Sequence, residues 1–342
     1  MNVQTELSSN VPINKVDADQ LLNLDLEKEE IAKLELEAKQ IQFKPTLVWK
    51  RVLLFIVLHV GGSIGLYQLI AGQAMRQTCY LLILLLFFGN LGITAGVHRL
   101  WSHRSYKATL PLRIFLMIAN CLIAQGDIID WSRDHRCHHK WMDTNADPHN
   151  TKRGFLFAHM GWLITRKHPQ IKAQGAKLDL SDLYEDSVCV WQRNNYLPLV
   201  ILCSVLIPTA IPVYFWKESA SVAFPILVLS RLILTLHATS CINSFCHWIG
   251  FRPYDASISP AQAEICNLLT AGEGHHNYHH VFPQDYRTSE IPCLLNLAKG
   301  FIDICAKLGL AYDLNVVRDD MIRRQAILHG DGNYKSKEDK YR

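Results

Sequence analysis

With 342 residues, of which 49% are hydrophobic and only 19% charged, the chain is too apolar for an ordinary soluble enzyme of this size. The charge is uneven: residues 1–44 carry nine acidic side chains against five lysines, a net of −4, which leaves +8 for the remainder, a balance suited to anionic lipid, a phosphorylated substrate or an acidic partner protein.

Residues 1–20 are polar and are expected to be disordered. No basic stretch followed by an apolar run opens the chain, so a cleaved signal peptide is not expected and the first span serves as its own insertion signal. Residues 25–40, with Leu24, Ile31, Leu34 and Ile41 on one side, predict a surface helix that ends before Pro45, its outer face solvated or interfacial. Four apolar blocks reach the roughly 20 residues needed to cross a bilayer. They lie at about 52–71, 79–97, 197–216 and 222–242. Arg231 interrupts the last and must face protein or a polar cavity rather than lipid. Residues 110–124 are apolar but too short to span, which predicts an interfacial or re-entrant helix.

The connections between the paired spans are short, with Arg76 in one and Lys217 offset by Glu218 in the other. Lys50, Arg51 and the segments 98–194 and 249–342 are rich in lysine and arginine. The positive-inside rule therefore puts both termini and the central segment in the cytosol. The tail from Leu328 is polar and is expected to fray. This divides the chain into an acidic segment (1–44), a membrane domain (45–327) and a tail (328–342). Ten cysteines without paired spacing fit a reduced, cytosol-facing protein.

Histidines dominate the chemistry. His98 and His103 follow the second span, His135, His138 and His139 follow the short apolar segment, and His276, His279 and His280 lie beyond the fourth span. Imidazole is the commonest side-chain ligand of first-row transition metals, and eight in tight groups exceed what one metal uses. On a helix, His-x-x-His-His presents all three rings on one face, able to hold one metal or to bridge toward a second. The five-residue step from His98 to His103 suits a helix poorly and predicts local unwinding. His247 is a ninth candidate, and Asn243 one turn before it can bind metal through a water. Cysteine ligand spacings, a His-Glu-x-x-His motif and Glu-x-x-His pairs are all missing, so an all-histidine set for two octahedral-leaning irons is expected. Asp127, Asp130, Asp134, Asp143 and Glu273 are available to orient the rings. His59, His149, His159, His168, His237, His275 and His329 are read as structural or surface residues. A membrane metal transporter would need ligands along a path through the bilayer, whereas these gather on one side.

His98-Arg-Leu-Trp-Ser-His103, Asp134-His-Arg-Cys-His-His139, Asp147-Pro-His-Asn150, His159-Met-Gly-Trp, Arg166-Lys-His-Pro169, Asn243-Ser and Gly272-Glu-Gly-His-His-Asn-Tyr-His-His280 together resemble the membrane acyl-CoA desaturases. The likeness is greatest to the animal stearoyl-CoA (Δ9-type) branch and its insect members. The resemblance implies an all-α integral membrane protein: a four-transmembrane-helix bundle with a cytosolic helical cap carrying a histidine-ligated di-iron site. It also implies two iron ions (Fe2+) held by His98, His103, His135, His138, His139, His247, His276, His279, His280 and, through water, Asn243. Arg133, Asp134, Arg166 and Lys167 match positions that bind coenzyme A. Trp131 and Thr239 match the bend of an acyl tunnel, which Ser240, in place of a usual tryptophan, and Asn90 would reshape. Arg51 and Gly126 stand where substrate-contacting asparagines are common. The implied activity is an O2-dependent desaturation of a saturated fatty acyl-CoA at Δ9 or an insect-type position such as Δ11, in the endoplasmic reticulum membrane, with electrons from cytochrome b5 and its NADH-dependent reductase. A histidine-box hydroxylase shares the same residues.

Overall fold

The computed structural model describes residues 13–16, 24–290 and 296–335. Helix α1 (Leu24–Gln40) precedes the first span, α2 (Trp49–Ile70). The other span-length helices are α3 (Arg76–Ser102), α6 (Tyr196–Phe215) and α7 (Ala220–Trp248). Between the second and third spans, α4 (Leu110–Ile123) and α5 (Ile128–Lys140) meet at 81°. Helix α4 ends where Ala124 turns left-handed (φ 54°), and α5 starts where the Asp127 carboxylate accepts the backbone N–H groups of Ile129 and Asp130. The protein is a multi-pass membrane protein, mostly helical, with α4 packed beside the bundle as a short apolar element should be.

Two spans outrun their hydropathy. Helix α3 continues past residue 97 to Ser102 and α7 past residue 242 to Trp248, and these extensions carry His98 and, on α7, Asn243 and His247. Polar ligands end the apolar signal, but the helices continue because protein rather than lipid surrounds them. Glycines let the spans approach closely. A methyl group on Gly65 of α2 would stand 2.3 Å from the carbonyl oxygen of Pro225 on α7, and one on Gly92 of α3 would stand 2.4 Å from the backbone of Ala119 on α4.

Arg231 is fully buried, as a charged residue within a span must be. Its guanidinium donates to carbonyls that lack a helical partner. Nη2 reaches Ser204 O at 2.7 Å, a carbonyl that Pro208 cannot bond, and Nη1 reaches Leu122 O at the end of α4. Gln68 does the same for Ser221 O (3.1 Å), left free by Pro225.

Two expectations are corrected. Residues 13–16 form a strand paired in parallel with Leu314–Val317, so the first 20 residues are not wholly without structure. The tail folds back: Tyr334 packs its ring 5.8 Å from that of Tyr254 and donates to Glu290, so fraying does not begin at Leu328. Glu218 is buried and accepts from Met75 N (2.8 Å) and the Thr78 hydroxyl (2.7 Å) at the start of α3, which leaves the charge count of its loop as it was. Helix α1 docks on the membrane domain through Leu34, which is buried with Cys137, Trp141 and Ala146. All nine cysteines among the described residues are free.

Candidate metal centre and its cavity

The nine histidines converge at one end of the bundle as two groups. His98, His103, His135, His139 and His279 form one, and His138, His247, His276 and His280 the other. Each His-x-x-His-His helix is split between them. Helix α5 gives its i and i+4 rings, His135 and His139, to the first group and His138 to the second. Helix α8 (His276–Val281) gives His276 and His280 to the second and His279 to the first. The exchange ties the two groups into one centre, which is the bridging alternative for these triplets.

The His98–His103 step is met by the expected unwinding, in the form of a wider helical turn. Residues Gly92–Ser102 form a π-helix, whose hydrogen bonds run from residue i to i+5, and His103 N–H donates to His98 O at 3.1 Å. The five-residue bond brings the two rings together edge to face, with centroids 4.9 Å apart.

The ring nitrogens fit metal. Nε2 atoms stand in pairs at 2.9 Å (His98–His279), 2.8 Å (His103–His135), 3.0 Å (His139–His279) and 3.1 Å (His247–His276 and His276–His280). Nitrogens about 2.1 Å from a shared ion are about 3.0 Å apart as octahedral neighbours and about 3.4 Å apart as tetrahedral ones. The observed spacing matches the octahedral edge. His138 Nε2 is buried with no hydrogen-bond partner. Burial, reinforced by mutual repulsion, holds His135, His139, His276, His279 and His280 well below the ordinary imidazole pKa, so they present lone pairs rather than protons.

Three acidic groups set ring orientation. Asp147 Oδ1 lies 2.9 Å from His138 Nδ1. Burial opposes charge on His138, but Asp147 outweighs it and raises the imidazole pKa. Glu273 Oε2 lies 3.3 Å from His98 Nδ1, and Arg99 donates to its other oxygen at 2.7 Å. Burial disfavours the Glu273 anion, yet Arg99 and His98 pull its pKa down to about 2. Asp143 bonds the Ser259 hydroxyl, which lies 2.9 Å from His247 Nδ1. Asp127, Asp130 and Asp134 serve elsewhere: the first caps α5, and the others pair with Arg133. Ser259 carries no sequence signal. Asp147 had one, its place in the Asp147-Pro-His-Asn150 motif, but no spacing marks it as a partner of His138.

Both groups open onto a cavity of about 580 Å3, lined by His98, His135, His138 and His276. Trp131, Thr239, Ser240 and Asn243 share this lining, as do Arg51 and Gly126. Asn90 does not. It sits one turn before Thr94, whose hydroxyl donates to Asn90 O at 2.8 Å, and Thr94 with Ile93 makes the wall at that level. Arg133, Asp134 and Lys167 line the mouth, where Asp134 is gripped by Arg133 (2.7 Å) and Lys167. Arg166 lies just outside, in an adjoining hollow shared with Arg51, Arg133, Lys167 and Lys172. A Leu47–Thr165 bridge and the bond from Arg166 N to Thr46 O (2.9 Å) fasten this segment to the start of α2.

His149, passed over for want of ligand spacing, lies beside His138 and Asp147. His59, His159 and His237 are not isolated either. His237 Nε2 is 3.2 Å from His59 Nε2, and His237 Nδ1 is 3.0 Å from His159 Nε2. This chain uses both nitrogens of its central ring in series, unlike the converging Nε2 atoms of the centre.

A fatty acid desaturase family profile matches residues 76–312. The chain belongs to the fatty acid desaturase family. It is 54% identical to the Delta(9)-fatty-acid desaturase fat-6 of Caenorhabditis elegans, over 96% of this chain and 97% of the relative. Identity is 46% to an acyl-CoA Delta12-desaturase of Acheta domesticus (85% and 82% covered) and 45% to human stearoyl-CoA desaturase (86% and 81%). The expected leaning toward insect members is thus not specific, since the nematode Δ9 enzyme shares more of the sequence than the cricket one.

Proposed function

We propose that this desaturase takes a saturated fatty acyl-CoA, holds its coenzyme A on Arg51, Arg133, Arg166 and Lys167, and forms a double bond at Δ9 of the acyl chain lying in the 580 Å3 cavity. The observation that carries the reading is continuity. One cavity, of a size suited to a small-molecule ligand, joins a cationic mouth to both histidine groups. High identity to Δ9 enzymes over nearly the whole chain supports the position of the bond. Two ferrous ions held by the nine histidines, with Asn243 beside the second group, would supply the oxidising power that removes two hydrogens with dioxygen as acceptor.

The chain does the rest. Arginine forks and a lysine point charge suit phosphates. Asp147, Glu273 and Ser259 keep the Nδ1 side of three rings occupied, leaving Nε2 free. Trp131 stacks on His135 with centroids 4.8 Å apart and presents an apolar wall beside it. Two electrons must come from outside; an acidic carrier such as cytochrome b5, fed by its NADH-dependent reductase, suits the basic remainder of the chain. Cytosolic placement of both termini fits the same charge asymmetry, and the endoplasmic reticulum membrane is the location that the likeness to acyl-CoA desaturases implies.

Expression in yeast lacking its own Δ9 desaturase, with the double bond located by mass spectrometry, tests the reading. Δ9 monoenes that vanish in His279→Ala are the expected result. A hydroxylated product would transfer the protein to the hydroxylases, and Δ11 monoenes would overturn the assigned position.

A further inference from the structure

The cavity has one wall that is lightly held. Helix α2 buries only Gly62 and Gly65, where it packs tightly against the π-wound start of α7. Toward its other end, α2 and α7 part to admit the cavity, with Leu54 and Leu58 facing it from α2 and Leu236 from α7. The residues next to Leu58 and Leu236 are His59 and His237, and their Nε2 atoms meet at 3.2 Å. This is the side-chain hydrogen bond that joins the two helices at the level of the cavity. The chain continues from His237 Nδ1 to His159 Nε2 (3.0 Å) and from His159 Nδ1 to the Ser244 hydroxyl (2.9 Å).

The bonding pattern fixes the protons of the two rings on α2 and α7. His59 Nδ1 lies 2.7 Å from Phe55 O and must donate to it, so His59 Nε2 accepts from His237. His237 Nδ1 then accepts from His159. The bond between the two spans thus joins rings whose four nitrogens are all paired, while the Ser244 hydroxyl gives its own proton to Ser240 O at 2.8 Å. No acidic group takes part in the chain, so opening it breaks no ion pair in the bilayer.

We propose that the seam between α2 and α7 is a lateral portal for long acyl chains, closed by the His59–His237–His159 clasp. The inference rests on the acyl-CoA reading. An acyl chain leaving through the seam stays in hydrocarbon, whereas one drawn lengthwise through the mouth passes each methylene across Arg51, Arg133 and Lys167 and exposes it to water. Coenzyme A can remain at the mouth while the chain swings sideways.

The test is a reversible bridge. Two imidazoles end to end span more than a disulfide reaches, so His59→Cys/His237→Cys is joined by a short bis-methanethiosulfonate reagent in iron-loaded protein in nanodiscs, preloaded with stearoyl-CoA. The portal predicts a first turnover of full amplitude, then a steady-state rate at least tenfold lower that recovers on reduction, with the single-cysteine variants unaffected. Undiminished steady-state turnover of the bridged protein would overturn the portal, as would loss of the first turnover, which marks a merely structural clasp. Absence of any turnover by the wild-type protein would instead count against the acyl-CoA reading.

Discussion

At the scale of single residues, the centre is set by what stands behind the rings. Asp147 accepts from His138 Nδ1 inside a buried site, and partners of this kind typically hold 10–100-fold in metal affinity. Asp147→Asn should lower iron affinity by about that factor, read by metal analysis after graded chelation. Unchanged retention would show that His138 needs no carboxylate. The mouth is open to solvent, so its contribution is screened by salt. Arg166→Ala/Lys167→Ala should raise KM for acyl-CoA far more than it lowers kcat and should flatten the salt dependence; an unchanged KM would make these side chains membrane-facing charge. The cavity wall redirects a third expectation. Because Thr94 and not Asn90 lines it, Thr94→Leu should shift the preferred chain length while Asn90→Ala leaves the products as they were. Ser240→Trp should narrow the same cavity, with total activity within roughly tenfold, about 1.4 kcal/mol. The reverse outcome for Asn90 and Thr94 would mean that the wall is wrongly placed.

At the scale of elements, hydropathy revealed the spans and their pairing, because lipid imposes a length and a composition that few other environments do. It stopped short at residues 97 and 242, where the helices enter protein and become polar while still helical. The spacing of His135, His138 and His139 showed one helical face, but which ring joins which group depends on where α8 lies across the site. That is a tertiary fact with no local signature. The π-winding of Gly92–Ser102 was visible only as a mismatch, a five-residue step that an α-helix cannot serve. Close packing at glycine is equally silent in composition. Gly65→Ala would press a methyl group against the Pro225 carbonyl, backbone that cannot rotate away. A loss of about 1–3 kcal/mol is expected, the usual cost of overpacking, seen as a lower unfolding midpoint in detergent. An unchanged midpoint would show that α2 shifts freely on α7.

At the scale of the whole molecule, the metal centre joins segments far apart in sequence, and its protonation therefore bears on the entire fold. Burial, with repulsion from neighbouring imidazoles or cations, lowers the pKa of His103, His135, His139, His149, His276, His279 and His280. In the unfolded chain these groups titrate near the ordinary histidine value, about 6.5. Between that value and their lower folded values the unfolded state binds more protons, so stability falls as pH falls. His138 works the other way: its raised pKa gives stabilisation that is complete below about pH 6.5 and lost as pH rises through the folded value. Seven groups against one decide the sign. Glu273, with its pKa near 2, stays ionised well below this window and contributes only to unfolding at much lower pH. Bound metal sharpens the dependence, because protons compete for the Nε2 lone pairs and acid releases the ions that tie α3, α5, α7 and α8 together. The metal-free protein should therefore unfold at a steadily lower temperature from pH 7 to pH 5, and the loaded protein should hold its midpoint longer and then lose iron and stability together. Thermal unfolding across that range, with metal content measured on the same samples, checks both halves. A midpoint that rises on acidification would mean that the buried rings carry protons in the folded state, and the lone pairs assigned to the metals would not be there to bind them.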